Sequence, residues 1–175
     1  MATGALVPLE EYLSTTYEAD CEYVDGEILE RNMGEIDHAA LQTVLVSWLF
    51  TQRKQFGIHI FTEIRTQVGG TRFRIPDIAV TLEKGKGRIL KTPPFLCIEI
   101  LSPEDRVSRM EEKIDDYLNF GVPHIWLIDP RKRSAWSYTQ AGKRESVGVL
   151  RTLQPKIELS IHDLFAELDE EVESE

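Results

Sequence analysis

Three residues of this 175-residue chain have the types and the spacing to do chemistry together: Asp77, Glu99 and Lys113. Asp77 interrupts the apolar run RIPDIAV, and Glu99 interrupts the apolar run FLCIEIL. Acidic side chains are depleted in strands and costly to bury, so two of them in the best core strands need an explanation. If the runs are neighbouring strands, the two carboxylates repel each other unless a cation lies between them. The pattern therefore predicts a metal site.

The chemistry of such a site follows from its donors. Two carboxylates on adjacent strands form a hard oxygen site that suits Mg²⁺ or Mn²⁺. A divalent ion of this kind neutralises charge on a phosphate and activates water, which phosphodiester hydrolysis requires. A nearby lysine can orient the water or stabilise developing negative charge. Lys113 is predicted on the helix just past Glu99, at the margin of its buried face, and would supply this group.

A purely structural interpretation of the same residues stays open. Asp77 follows Pro76 and would serve as a turn former, while Glu99 would be paired with Arg74 or Lys113 in a structural cluster. Lys113 lies in an acid-rich helix, where a surface ion pair is a common arrangement. From the residues alone, the metal site and the structural cluster are about equally favoured.

Both strands and helices are needed to position these residues. Apolar alternation and turn residues predict strands and a hairpin, and apolar residues at helical spacing predict helices. Pro76 inside a strand predicts a bulge or an edge beside Asp77, and Ser102-Pro103 predicts a helix start. The predicted elements are a helix at 8–14, a hairpin turning at Asp25-Gly26, a helix from an Asp37 cap to Phe56, strands at 59–68, 73–82, 95–101, 124–129, 134–140 (an edge strand) and 156–160, and helices at 102–120 and 162–168.

This order predicts an α/β, or mixed-sheet α+β, fold in which helices pack on a sheet containing one strand–helix–strand crossover. The length and apolar content predict a single domain over residues 1–168. Residues 169–175 form an acidic tail that we expect to be frayed. No run of 18 apolar residues and no secretion signal are apparent, so we expect no membrane span. Two cysteines in a reducing-type pattern predict the cytoplasm.

The charge distribution limits the possible partners. The net charge is −10, which argues against simple electrostatic binding of nucleic acid. Seven acidic residues and no basic ones lie between Asp163 and Glu175, so much of this charge is confined to the C-terminus. Basic residues cluster elsewhere in the loop from Lys84 to Lys91 and around Arg131 to Arg133. Charge alone neither excludes nor establishes a nucleic-acid substrate.

Five segments together resemble the Uma2 family of restriction-endonuclease-like proteins. In order along the chain they are CEYVDGEILE with His38 after it, RIPDIAV, FLCIEILSPED, EEKIDDYLNFGV and HIWLIDP, within residues 8–140. The resemblance implies a restriction-endonuclease-like core of αβββαβ order, with an N-terminal helix and hairpin added, and places the chain in the PD-(D/E)XK nuclease superfamily. It implies DNA as the substrate, Mg²⁺ (or Mn²⁺) as the cofactor and a Mg²⁺-dependent endonuclease activity.

Carried over by residue, the resemblance implies Asp77 and Glu99 as metal ligands and catalytic residues. Two positions after Glu99, where the superfamily pattern usually has a lysine, this chain has Leu101. Lys113 is similar in position to a lysine that has migrated to the next helix. Accessory roles are implied for His38, Gln67 and Arg74, the last as a phosphate contact. The departure at Leu101 also favours an alternative, a degenerate nuclease fold acting as a dimeric binding or scaffold module. We expect a homodimer through the edge strand near Trp136.

Overall fold

The computed structural model describes residues 6–17, 20–32, 34–145 and 148–173. Four α-helices and twelve β-strands lie in these ranges. The helices are α1 (Leu9–Ser14), α2 (Ile36–Phe56), α3 (Val107–Phe120) and α4 (Ile161–Glu171). The strands are β1 (Cys21–Val24), β2 (Glu27–Glu30), β3 (His59–Thr62), β4 (Thr66–Gly69), β5 (Arg72–Arg74), β6 (Ile78–Thr81), β7 (Leu96–Ile100), β8 (His124–Asp129), β9 (Ser134–Thr139), β10 (Gly142–Glu145), β11 (Val149–Arg151) and β12 (Glu158–Ser160).

The main sheet has six strands in the order β10-β9-β8-β7-β6-β3. β7 and β8 are parallel and joined through α3, whereas the other neighbouring pairs are antiparallel. The predicted mixed sheet with one strand–helix–strand crossover is therefore confirmed. Read along the chain, α2, β3, β6, β7, α3 and β8 give the predicted αβββαβ order, with β4 and β5 inserted after β3.

Helices cover both faces of this sheet, and the alternation of β7 separates its side chains between them. Leu96, Ile98 and Ile100 join a core that includes the α2 stripe Leu41, Leu45 and Leu49 and residues of α4. Cys97 lies on the other face, in a core with residues Met110, Ile114 and Tyr117 of α3. Because strand side chains alternate, Glu99 points to the α3 face, as its spacing from Cys97 predicted.

Four further strands form a second sheet, in the order β2-β1-β5-β4, which shares no strand with the main sheet. β1 and β2 form the predicted hairpin with the turn at Asp25-Gly26. The small core of this sheet joins Tyr12 of α1 to Tyr23 and Phe73. The hairpin is thus connected to the chain that leads into Asp77, because β1 pairs directly with β5.

Two predicted strands are each divided between the two sheets, which corrects the prediction of continuous strands at 59–68 and 73–82. The first is interrupted near Glu63, a non-glycine residue with a φ of 51°, and continues as β4 of the second sheet. The next leaves that sheet after Arg74 and enters the main sheet at Ile78. Pro76 lies in this link and has no amide hydrogen for either ladder, so the predicted irregularity is a change of sheet.

Several predicted boundaries also differ. α2 begins at Ile36 with Glu35 as its cap residue, so Asp37 lies in the first turn, where the helix dipole favours an acid. α3 begins at Val107 instead of 102, because Asp105 accepts a hydrogen bond from the Ser102 amide and closes a separate turn. β9 is an inner strand, since β10 pairs with its outer side. α4 runs from Ile161 to Glu171, so it is longer than the helix predicted at 162–168. Within the described residues, no helix is long and apolar enough to cross a membrane.

Candidate active site

Asp77 lies on the link between the two sheets, one residue before β6. Its side chain is buried, with 4% of the residue exposed. The Oδ2 atom accepts a hydrogen bond of 2.8 Å from the backbone amide of Ile100, and Oδ1 lies 2.6 Å from Nη2 of Arg31. Ile78 of β6 pairs with Ile98 of β7, so Asp77 comes next to Glu99 along the register. The predicted proximity of the two acidic positions follows from this pairing.

Glu99 lies on β7 and is buried against α3. Among the described residues, two side chains contact its carboxylate directly. Its Oε2 lies 2.9 Å from Nζ of Lys113, and its Oε1 accepts a hydrogen bond of 2.7 Å from the Tyr117 hydroxyl. Lys113 and Tyr117 are four residues apart, so α3 presents both from one face. Tyr117 lies among the apolar positions of α3, and a hydrophobic pattern does not report the role of its hydroxyl.

Lys113 is enclosed by acceptors from three parts of the chain. Its Nζ lies 2.8 Å from Oε1 of Glu22, 2.9 Å from Glu99 and 2.9 Å from the carbonyl oxygen of Ile75. These three acceptors match the three hydrogens of an ammonium group. Burial lowers the pKa of Lys113, but the charges of Glu22 and Glu99 outweigh it and the net pKa is raised. Lys113 is therefore a cation at neutral pH and is suited to stabilise charge, not to accept a proton.

The pKa values of the two predicted acids are displaced in opposite directions. Burial raises the pKa of Glu99 to about 7, since the lowering effect of Lys113 only partly offsets it and the charge of Asp77 raises it further. Burial also raises the pKa of Asp77, but the hydrogen bond of His38 and the charges of Lys113, His38 and Arg31 outweigh it, so the net pKa is lowered. Asp77 is thus ionised across the neutral range, while Glu99 titrates within it.

Two basic side chains approach Asp77 from outside the main sheet. His38 lies in the first part of α2, and its Nε2 is 3.4 Å from Oδ2 of Asp77. Burial lowers the pKa of His38, but the hydrogen bond and charge of Asp77 outweigh this and raise it overall. Arg31 follows β2 directly, and its side chain is 18% exposed. His38 was predicted as an accessory residue, whereas no pattern in the sequence marked Arg31.

Glu22 is a third buried carboxylate of the site, and it comes from the hairpin. Besides Lys113, it accepts a hydrogen bond of 3.0 Å from the amide of Ile75 and one of 2.9 Å from Nη1 of Arg74. Burial raises the pKa of Glu22, but Lys113 and Arg74 outweigh it and lower the pKa overall. A signal for Glu22 existed in the sequence, because it interrupts the apolar strand CEYV as Asp77 and Glu99 interrupt theirs.

Arg74 is buried in ion pairs, which hinder the phosphate contact predicted for it. Only 2% of the residue is exposed, and its Nε lies 2.6 Å from Oδ2 of Asp116 in addition to its bond with Glu22. Asp116 is itself buried against Arg72 and Arg74, although an acid-rich helix sequence such as that of α3 is typical of a solvated face. A phosphate would reach Arg74 only after these ion pairs opened. Gln67 lies on β4 and is not among the residues of the cavity described next.

A cavity of about 340 Å³ joins these groups to the surface. Within the described residues its lining contains six carboxylates and five lysine or arginine side chains, along with His38. The acids are Glu22, Glu30, Asp77, Glu99, Glu104 and Asp105, and the basic residues are Arg31, Arg74, Arg106, Arg109 and Lys113. The acidic and basic side chains of the lining nearly balance, so the local feature that suits a bound cation is the ionised Asp77.

The donor set fits a magnesium-type ion, most of whose ligands are water molecules or substrate oxygens and not protein side chains. In the described part of the chain, no group of three or more His, Cys, Asp or Glu side chains is arranged to hold a metal. Mg²⁺ is commonly held by one or two carboxylates with several waters or phosphate oxygens. Asp77 and Glu99 are carboxylates of this kind, placed side by side at one cavity. A dedicated all-protein cage, as structural zinc requires, is not what these residues form.

Comparisons with known proteins are consistent with this geometry. The family model described as "Uma2: Putative restriction endonuclease" matches residues 9–172. A crystal structure from Anabaena variabilis, described as a "putative nuclease belonging to DUF820", superposes with a TM-score of 0.81 and 28% sequence identity. The match covers 93% of this chain and 99% of that one. No curated protein matches this chain.

Proposed function

This chain belongs to the Uma2 family and has its restriction-endonuclease-like fold, and from that premise we propose that it is a metal-dependent endonuclease. The proposed reaction is hydrolysis of DNA phosphodiester bonds, with Mg²⁺ or Mn²⁺ as the cofactor. The family and the similar crystal structure are both described as nucleases, which supports a nucleic-acid substrate. The finer assignments rest on the cavity itself.

The position of Lys113 is the observation that carries the proposal. A PD-(D/E)XK site needs a cation beside its second acid, and Leu101 occupies the usual place of that residue. Lys113 reaches Glu99 from α3 at 2.9 Å instead, in the cavity that also contains Asp77. Had Lys113 been farther than a water bridge from both carboxylates, this role would have been excluded. The contact supports a migrated lysine that serves the same acid.

The proposed roles follow from charge and burial. Asp77 and Glu99 would hold the ion, which supplies Lewis-acid stabilisation of the phosphate and a more acidic water. Lys113 stays protonated and stabilises negative charge that develops on the phosphate oxygens. Tyr117 and Glu22 fix the positions of Glu99 and Lys113 through direct hydrogen bonds. His38 hydrogen-bonds Asp77 and, when protonated, would add positive charge beside it.

A plasmid-nicking assay tests the proposal. The wild-type protein is expected to convert supercoiled DNA to open-circular DNA with Mg²⁺ or Mn²⁺ and to lose this activity in EDTA. Asp77→Asn, which preserves the shape of the side chain, is expected to reduce the rate by at least about a hundredfold, in the range seen when an electrostatic group of an active site is removed. Glu158→Gln alters an exposed carboxylate of β12 and is the matched control. Nicking that persists in EDTA or in Asp77→Asn would contradict the proposed site.

The alternative, a nuclease fold that binds without cleaving, is favoured by one observation. Both oxygens of Asp77 and both oxygens of Glu99 already have partners within the chain, as in a structural ion-pair cluster. The homodimer stays part of both proposals. β10 replaces the inner strand β9 as the edge through which copies would pair, and light scattering after gel filtration tests it. A protein that binds DNA tightly, binds no divalent ion and never nicks it would establish the alternative.

A further inference from the structure

Arg31 covers one oxygen of Asp77 and leaves the other to the protein backbone. Oδ2 is bonded to the Ile100 amide at 2.8 Å and approached by His38 at 3.4 Å. Among the described residues, Arg31 is the group placed on Oδ1, at 2.6 Å. A backbone amide of β7 cannot leave without disturbing the main sheet, whereas an arginine side chain can rotate away. Oδ1 is therefore the oxygen that Asp77 can offer to another ligand.

The other contacts of Arg31 are weak, in contrast to those of Arg74. Nη1 of Arg31 lies 3.5 Å from an oxygen of Glu63, which is 47% exposed. Arg74 is 2% exposed and is held by both Glu22 and Asp116. Exposed pairs of the first kind contribute little to stability, because water and salt screen them. The free-energy cost of changing partner is therefore lower for Arg31 than for Arg74.

We propose that Arg31 binds the phosphate of the substrate and, in doing so, releases Asp77 to bind the metal ion. The inference deepens the proposed function and rests on it. A guanidinium and a divalent cation on the same carboxylate oxygen repel each other, so the two compete for Oδ1. A phosphate offers Arg31 two oxygens in the planar geometry that its paired N–H groups match. The guanidinium thus passes from one anion to another without being left unpaired.

The consequence is a positive coupling between the two ligands. Phosphate draws Arg31 away from Asp77 and raises the affinity for the ion, and by reciprocity the ion raises the affinity for phosphate. In the absence of DNA, Arg31 keeps the ion site partly blocked. Substrate and metal would then bind tightly only together.

Titration with Mn²⁺, followed by the EPR signal of the free ion, tests this coupling without any cleavage. In the absence of DNA, Arg31→Met is expected to bind Mn²⁺ at least about fivefold more tightly than the wild type, the lower end of ordinary coupling between two sites. Arg31→Lys keeps the positive charge and is expected to remain close to the wild type. Arg151→Met removes an arginine that is also paired with a carboxylate, Glu158, but lies outside the cavity lining, and it should change nothing.

A second measurement follows DNA binding in EDTA with a fluorescent duplex at several salt concentrations. Arg31→Met is expected to bind more weakly, with a salt dependence reduced by about one phosphate contact. An unchanged or lower Mn²⁺ affinity in Arg31→Met, or an unchanged salt dependence, would overturn the role of Arg31. If wild-type Mn²⁺ binding is lost in Asp77→Asn while Arg31→Met behaves as the wild type, the metal site stands and only the coupling fails. If neither the wild type nor Arg31→Met binds Mn²⁺, both proposals fail.

Discussion

The two carboxylates of the site lie in contrasting surroundings. Glu99 belongs to a closed half, made of Glu99, Lys113, Glu22 and Tyr117, in which the charged side chains are at most 11% exposed and Tyr117 is fully buried. Asp77 belongs with Arg31 and His38 to an open half, where the arginine side chain is 18% exposed and also contacts the exposed Glu63. The closed half is held by multiple bonds among buried groups, and the open half by fewer bonds near the surface. We infer that the closed half fixes geometry and that the open half exchanges partners.

Lys113→Met gives the largest effect expected in the closed half. It leaves Glu22 and Glu99 buried without their shared cation, and breaking a buried pair in this way costs about 3–5 kcal/mol of unfolding free energy. Urea denaturation measures the loss. Lys156→Met, which removes an exposed lysine paired with Glu158, is the control and should stay within about 1 kcal/mol. Adding Glu22→Gln to Lys113→Met should recover part of the loss, and a further loss would contradict the assigned pairing.

Glu99→Gln tests the same half through pH. The pKa of Glu99 is raised to about 7, so its contribution to stability is full below the unfolded pKa near 4.5 and is lost as the pH rises to about 7. Each pKa unit is worth about 1.4 kcal/mol, so the variant should gain on the order of 3 kcal/mol over the wild type across this window. Unfolding free energies of both proteins at several pH values measure the difference.

A control of opposite sign accompanies this measurement. Hydrogen bonds from Lys156 and Arg151 lower the pKa of Glu158. Its contribution is therefore present above the unfolded pKa and is lost as the pH falls, so Glu158→Gln should lose stability relative to the wild type as the pH rises. A constant difference between Glu99→Gln and the wild type from pH 4.5 to 7 would contradict the burial of an ionised Glu99.

Glu22→Gln has a smaller expected effect, because Lys113 keeps Glu99 and the Ile75 carbonyl as partners. A loss of about 1–3 kcal/mol is expected, as for a hydrogen bond to a charged group. The metal-dependent nicking rate should fall as well, since Lys113 then loses the charge of one of its three acceptors. Glu27→Gln, an exposed acid of the same hairpin, should alter neither quantity. An unaffected nicking rate in a folded Glu22→Gln protein would remove Glu22 from the site.

Arg31→Met should have the smallest effect on stability and so marks the contrast between the halves. Its removal takes one partner from the buried Asp77, which keeps the Ile100 amide and His38, so we expect a loss of about 1 kcal/mol, at the lower end for a buried group that loses a hydrogen-bond partner. Thermal or urea unfolding measures it under the conditions used for Lys113→Met. A loss as large as that of Lys113→Met would show that both halves are equally structural and would remove the distinction between them.

Local sequence patterns predicted the parts of this molecule that depend on neighbours in the chain. The Asp25-Gly26 hairpin, the end of α2 at Gly57 and the crossover from β7 to β8 were all predicted, and the first two arise from residues that favour a left-handed or turn conformation. Asp77 and Glu99 were identified because charge inside an apolar pattern is costly to bury, and Lys113 because it lies on the helix that follows Glu99. The structure brings these residues to one cavity, while their roles remain predictions.

The failures, apart from one local turn at Ser102, have a common physical cause, which is distance along the chain. An alternating pattern is the same whether a strand stays in one sheet or changes sheet, so the division of 73–82 at Pro76 could not be read from it. The sequence around Asp116 in α3 is typical of solvated acids. Its burial could not be predicted from that sequence, because its partners Arg72 and Arg74 lie on β5 of the second sheet. Ser102-Pro103 has the composition of a helix start, but the Asp105 side chain closes a turn there first. Arg31 contacts Asp77 only through the tertiary fold.

The ion pair between Glu22 and Lys113 has a consequence for the timing of assembly. Glu22 lies in the first strand of the chain, Asp77 and Glu99 in its middle, and Lys113 on a helix that is synthesised after them. No fragment that emerges early from the ribosome, and none left by proteolysis between the hairpin and α3, contains the complete set. If the proposed function holds, the site is complete only after α3 has been synthesised and has packed against the hairpin.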